Sequence, residues 1–193
     1  KTALVAHWPT GIKSAGQPTR SLTSVIDLAP TVLAAAGVPA PKTMQGVSLL
    51  PLFDDPEVTV RRYAFSEHNW HDYEAYGRSI RDNRFLYLIN RRPHLPWQGP
   101  ADSVRSASHS SLRTKKEQGT LTAAQQDVFL APRPAAEFYD VRNDPEQLHN
   151  LVGSAQYTEV EKKLATILKQ WQQETGDTVP QKLTPDTFDR ING

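Results

Sequence analysis

Gly77-Arg78-Ser79-Ile80-Arg81-Asp82-Asn83-Arg84-Phe85-Leu86-Tyr87-Leu88-Ile89-Asn90 reads as two extended runs about a polar dipeptide. Ile, Leu, Phe and Tyr suit a half-buried pleated surface, and Asp82-Asn83 supplies a turn because both residue types tolerate the left-handed region. The stretch predicts a hairpin of residues 77–81 against 84–90. Working outward, residues 62–66 and 136–141 are further candidate strands. Val160, Leu164, Ile167, Leu168 and Trp171 then recur at helical spacing over residues 157–175, with Gly176 as a stop. The pattern predicts an α+β fold: a small antiparallel sheet packed by a C-terminal amphipathic helix.

The first third reads differently. Thr2-Ala3-Leu4-Val5-Ala6-His7-Trp8 is a continuous apolar run, the signature of a strand buried on both faces of an α/β sheet. Residues 24–36 form a small Ala-rich helix suited to packing on such a sheet, with Asp27 as N-cap, Pro30 in the first turn and Gly37 as stop. Residues 45–53 give a turn and a short helical segment, and Asp54-Asp55-Pro56 a boundary. A strand at the very start has no partner in this sequence, so residues 1–55 are expected to be the last strand and helix of a truncated α/β domain. Between the strand patterns, residues 91–126 lack periodicity and read as a long excursion. Asn143-Asp144-Pro145 reads as a turn, residues 146–151 as a short helical turn, and the polar tail from Asp177 as a surface segment.

Composition excludes several chemistries. The 22 basic and 21 acidic residues leave a formal charge of +1, which gives no global attraction to nucleic acid or an anionic membrane. The absence of Cys rules out disulfides, thiolate nucleophiles and Cys-ligated zinc. No apolar run approaches the ~20 residues of a membrane span. The chain begins with Lys1, so an upstream targeting segment is compatible with it.

Four segments carry a family resemblance. Leu4-Val5-Ala6-His7-Trp8-Pro9 with Gly11-Ile12 comes first, and Val25-Ile26-Asp27-Leu28-Ala29-Pro30-Thr31-Val32-Leu33 with Ala36-Gly37-Val38-Pro39 second. Gln45-Gly46-Val47-Ser48-Leu49-Leu50-Pro51-Leu52 and Glu137-Phe138-Tyr139-Asp140-Val141 with Asn143-Asp144-Pro145 and Asn150-Leu151 complete the set. In this order they resemble the C-terminal portion of sulfatases, within the alkaline phosphatase superfamily. Trp171 with Glu174-Thr175 and Asp177, and the hairpin itself, look most like the sulfamidase (heparan N-sulfatase) branch. The resemblance implies a C-terminal subdomain at residues 60–193, an N-terminal sulfatase domain of the same gene product as partner, and a sulfated sugar as substrate. It implies calcium and a formylglycine nucleophile in the complete enzyme, and a periplasmic or secreted location. The family's C/S-x-P-x-R motif is absent here and Asp54-Asp55 does not match its metal motif. No catalytic residue and no metal ligand is therefore assigned to this chain.

The densest polar constellation is Glu67-His68-Asn69-Trp70-His71-Asp72-Tyr73-Glu74. By resemblance it approaches the mouth of the active site, so Glu67, His68, Trp70 and His71 are substrate-binding candidates, with Arg78 nearby. An imidazole beside an aromatic ring suits a sugar, whose apolar face stacks while its hydroxyls take hydrogen bonds. The plainer reading is an exposed polar loop anchored by Trp70, and a His68/His71 metal site fits poorly. Arg78 and Arg81 share a strand face only with a bulge, because their separation is odd. Arg91-Arg92-Pro93-His94-Leu95-Pro96-Trp97 either lines an acidic glycan groove or is a stiff loop. Three functions compete: part of a sulfate-ester or sulfamate hydrolase, inactive by itself; a stand-alone module for sulfated glycan, using Arg78, Arg81, Arg91 and Arg92; and part of a phosphodiesterase or phosphonate hydrolase.

Overall fold

The computed structural model describes residues 3–95 and 99–188, so Trp97 of the basic–aromatic stretch lies outside the described residues. The chain divides into two compact units, Lys1–Ala64 and Phe65–Gly193.

In the first unit, α1 (Leu28–Ala35) follows a single 3₁₀ turn and α2 (Leu50–Asp54) begins with Pro51 in its first turn. Asp27 stands at the N-cap position of α1 but makes no side-chain cap bond there; it is fully buried and used elsewhere. Its carboxylate accepts from the Ser24 and Val47 amides at 2.8 and 2.9 Å and is clamped by the Arg61 guanidinium. Thr31 extends the tie, accepting from the Leu49 amide at 2.8 Å. Gly46 is required at the crossing, since a Cβ there would lie 2.0 Å from the Ile26 carbonyl oxygen. The expected strand near the chain start is not formed: residues 3–8 join no sheet, and Val5 is 89% exposed. An apolar run becomes a strand only where a neighbouring strand takes its N–H and C=O groups; among the described residues of the run only the Trp8 carbonyl is engaged, by the Gly11 and Ile12 amides of a local turn. Apolar side chains are likewise uncovered on the 3₁₀ turn (Val25, Ile26) and on α1 (Leu28, Val32).

The second unit is α+β. Four antiparallel-paired or hairpin-linked strands lie in the order β1 (Ala64–His71), β2 (Tyr73–Arg81), β3 (Phe85–Asn90) and β4 (Ala136–Asp140). Ile80 pairs with Tyr87 and Tyr87 with Phe138, which fixes one face. That face packs on α6 (Thr158–Glu174) through Leu164 and Leu168, both buried. Phe85 and Phe138 stack at 5.3 Å, Tyr157 meets Phe85 edge-on at 5.6 Å, and Phe65 stacks on Trp171 at 5.0 Å. Asn150 shields the outer edge of β4: its side chain accepts from the Phe138 amide and donates to the Ala136 carbonyl, at 3.0 and 3.2 Å.

Local chemistry moved several expected boundaries. The expected strand at residues 62–66 starts at Ala64 and runs through the polar constellation to His71, so that constellation is strand and not loop. The 82–83 turn closes without a left-handed residue; the Asp82 carboxylate accepts from the amides of Arg84 and Phe85 at 2.8 and 2.6 Å. The supposed excursion contains α3 (Ala101–Val104), α4 (Ala107–Glu117) and α5 (Ala123–Asp127), the last two capped by Ser106 and Thr122. Periodicity missed α4 because none of its residues is buried. Residues 146–151 make no helix, since the Asp144 carboxylate takes the Leu148 and His149 amides at 3.2 and 2.9 Å and Gln147 turns to φ 58°.

Arg78, only 2% exposed, reaches the end of α6 and forks onto Asp177 at 2.9 and 2.7 Å. Tyr76 and Gln172 each donate to the same carboxylate at 2.8 Å. The Arg78 bond, outweighing burial, holds the Asp177 carboxyl down at about 2, from an ordinary 3.8. A depressed carboxyl pKa contributes stability above its unfolded value and loses it as pH falls through the folded value. Asp177→Asn should thus lower the unfolding free energy by about 2 kcal/mol at neutral pH. In urea unfolding followed by circular dichroism, the gap to the parent should shrink below about pH 4 and be small near pH 2; a gap that stays constant would refute the pairing. By the same measurement Leu164→Ala should cost about 3 kcal/mol, because that side chain has no exposure to lose.

Candidate functional site

Glu67, His68, Trp70 and His71 lie on β1, and one residue, Asp72 at φ 65°, turns the chain directly into β2. Asp72 holds this tight corner by accepting the Ala101 amide on its carboxylate at 2.8 Å. Strand alternation then sorts the candidates. Ser66 faces Ser79 at 2.6 Å, placing Ser66, His68 and Trp70 on one side. Phe65 lies on Trp171 and Glu67 lies 3.8 Å from Arg78, placing Glu67 and His71 on the α6 side. His68 and His71 therefore point apart. Among the described residues no three His, Asp or Glu side chains converge as a metal site.

Arg78, a candidate from sequence, sits behind the site. Its guanidinium lies 4.0 Å over the Tyr76 ring and is spent on Asp177, so it braces β2 and presents no free donor at the surface. Arg81 falls on the opposite face, as its odd spacing from Arg78 dictates. Arg92 donates to the buried Glu74 carboxylate at 3.2 Å. The exposed polar groups left at the corner are Glu67, Asn69, Trp70 and His71. His68 is half-buried beside them, and burial, then the charges of His71 and Arg78, lower its pKa below 6.5. At neutral pH its imidazole is uncharged and can both donate and accept.

Sequence reasoning missed the strap that supports this corner. After Asp177 the tail is exposed, as a surface segment should be, but it is tied back along the hairpin by hydrogen bonds. The Thr184 amide donates to the Glu74 carboxylate at 2.9 Å and the Glu74 amide to the Asp186 carboxylate at 2.6 Å. The Thr187 amide meets the Asp72 carbonyl at 2.7 Å, and the Trp70 indole N–H donates to the Pro185 carbonyl at 3.1 Å. Phe188 packs on the Tyr73, Ala101 and Val104 cluster. The one available signal was a run of acids, Glu74, Asp177 and Asp186, too far apart in sequence to be linked. Trp70 thus keeps its ring partly exposed while its N–H is committed.

Asp54 is paired to Lys13 at 2.9 Å and Asp55 accepts the Glu57 amide at 3.0 Å. No helix among the described residues is long and apolar enough to cross a membrane.

Residues 1–90 match the family model described as N-sulphoglucosamine sulphohydrolase, C-terminal. An ulvan-active sulfatase of Formosa agariphila is 28% identical over 187 residues, covering 95% of this chain and 35% of that protein. Human N-sulphoglucosamine sulphohydrolase is 26% identical over 193 residues, covering 95% of this chain and 38% of its own length. A solved structure holding its substrate, D-glucosamine-2-N,6-O-disulfate, superposes with a TM-score of 0.56 at 23% identity, over 90% of this chain and 28% of that one. The chain spans little more than a third of either curated relative. In motif order and over most of its length the chain is thus similar to the C-terminal portions of sulfatases, and over residues 1–90 to the C-terminal model of N-sulphoglucosamine sulphohydrolase.

Proposed function

We propose that this chain is the C-terminal part of a hydrolase that cleaves sulfate-ester or N-sulfate groups from a sulfated sugar, and that the β1–β2 corner is its substrate-facing wall. The observation that carries this reading is the corner itself. His71, Trp70 and Glu67 stand exposed at a one-residue turn that the tail ties down, with His68 half-buried beside them. The Trp70 indole with the His68 imidazole on one face suits the stacking face and hydroxyls of a pyranose, and His71 with the Glu67 carboxylate offers hydrogen bonds on the other. The uncovered apolar face of α1, with Leu4 and Val5, supports residues 1–55 as the end of an α/β catalytic domain, and residues 60–193 as the C-terminal subdomain. The nucleophile and calcium used by the family would be supplied by that catalytic domain, and the relatives' usual setting favours the periplasm or the exterior. The competing glycan-module reading needs four free arginines, whereas Arg78 and Arg92 are ion-paired.

The purified 193-residue chain should not hydrolyse para-nitrophenyl sulfate; turnover that depends on this chain would overturn the reading. In the enzyme that joins it to a catalytic domain, His71→Ala should lower kcat/KM on the sulfated sugar about tenfold, the cost of one lost hydrogen bond in a site. An unchanged kcat/KM for both His71→Ala and Trp70→Ala would remove the corner from the substrate path.

A further inference from the structure

A concave site of about 960 Å³ lies on the face of the sheet turned away from α6. Its floor is Leu88 of β3 with Glu137 and Tyr139 of β4, and its far wall is α4 with the segment 127–131. That size is at the upper end of the ~300–1,000 Å³ of small-molecule sites. The cavity exists because of what α4 carries. At helical spacing it turns His109, Arg113 and Lys116 toward the sheet where a packing helix would carry Leu, and none of its residues is buried.

We infer that this cavity binds a hexopyranose unit of a saccharide chain, recognised through its hydroxyls and ring face and not through its charge. Three features specify that class. The floor is a fixed polar triad: Tyr139 donates to Glu137 at 2.5 Å, and Arg133 bridges Glu137 and Asp127 at 3.2 and 3.3 Å. Burial, then the bond to Glu137, raises the Tyr139 pKa above its ordinary value, so the phenol stays a donor at every physiological pH. The wall carries an aromatic ring, Phe129, steadied by His109 at 5.6 Å and by the Lys116 ammonium 4.6 Å over its face. The lining charges are mixed. Arg113, Lys116 and Arg133 share the lining with Glu117, Asp127, Glu137 and Glu146, which gives donors and acceptors without the single-sign field a polyanion requires. Among the described residues Arg113 and Lys116 form no ion pair, so their donors are open to a ligand. Gln147, held at a φ of 58° by the Asp144 turn, brings an amide to the same rim. The site shares no residue with the β1–β2 corner and stands or falls separately from it.

The test is a titration of the ¹⁵N-labelled 193-residue chain with a heparin-derived tetrasaccharide and with its fully desulfated counterpart, read by amide shifts. Both should move the amides around Arg113, Phe129 and Gln147, with affinities within about threefold of each other and little dependence on salt. Arg113→Leu, on a helix face that the fold does not bury, should weaken both about tenfold while leaving the circular dichroism unchanged. No shift from either sugar up to about 10 mM would overturn the inference. Binding of the sulfated form alone, with steep salt dependence, would equally overturn it by pointing to surface charge. Shifts confined to His68–Tyr73 and indifferent to Arg113→Leu would overturn it too, while favouring the corner as the only saccharide contact.

Discussion

The buried fork of Arg78 on Asp177 decides how the second unit is assembled. Two charges taken out of water cost several kcal/mol each unless every donor and acceptor is used, and here they are used: Tyr76 and Gln172 fill the carboxylate, and the Gly77 carbonyl takes another guanidinium N–H at 2.8 Å. The pair fixes the end of α6 over β2. Because Asp177 is the first residue past Gly176, it also fixes where the tail begins. From there the chain is already aligned to run back along the hairpin, and Glu74 and Asp186 complete the strap. The rigidity of the polar corner is thus a consequence of an ion pair behind it.

The same device recurs. Asp27 with Arg61 joins the two ends of the first unit, and Asp140 with Arg84, at 2.7 Å, closes the β3–β4 end of the sheet. In each case one carboxylate accepts backbone amides as well as a guanidinium, so local turn and tertiary contact are set by one group. A chain with fifteen prolines and many loops has few long ladders to rely on. Buried carboxylates do part of the work that a larger apolar core would otherwise do.

The two faces of the sheet are therefore used differently. One is filled by α6 with Leu164, Leu168 and stacked aromatics. The other is roofed by a polar helix, which leaves space instead of filling it. A helix without an apolar stripe gains little from packing, so α4 is held by its Ser106 cap and by its neighbours, and a cavity persists beneath it.

Much of the architecture was readable from residues 77–90, 136–141 and 157–175, because period-2 and period-3.6 patterns report directly which faces are buried. The ordered motifs through Leu4–Pro9, Val25–Leu33 and Glu137–Val141 carried the family as well. What the residues alone did not settle was partnership. Thr2–Trp8 has a strand's composition, but pairing is a property of two chains of residues and no described partner is present. Asp27 looked like a cap, Arg78 like a ligand for substrate and Asp144 like an ordinary turn residue. The Asp144 turn is there, closed by its carboxylate on the Leu148 and His149 amides, while Asp27 and Arg78 are engaged by groups distant in sequence, Arg61 and Asp177. Composition fixes which groups must be satisfied; only the folded chain decides by whom, because the cost of burying a charge is met by whatever geometry brings within about 3 Å.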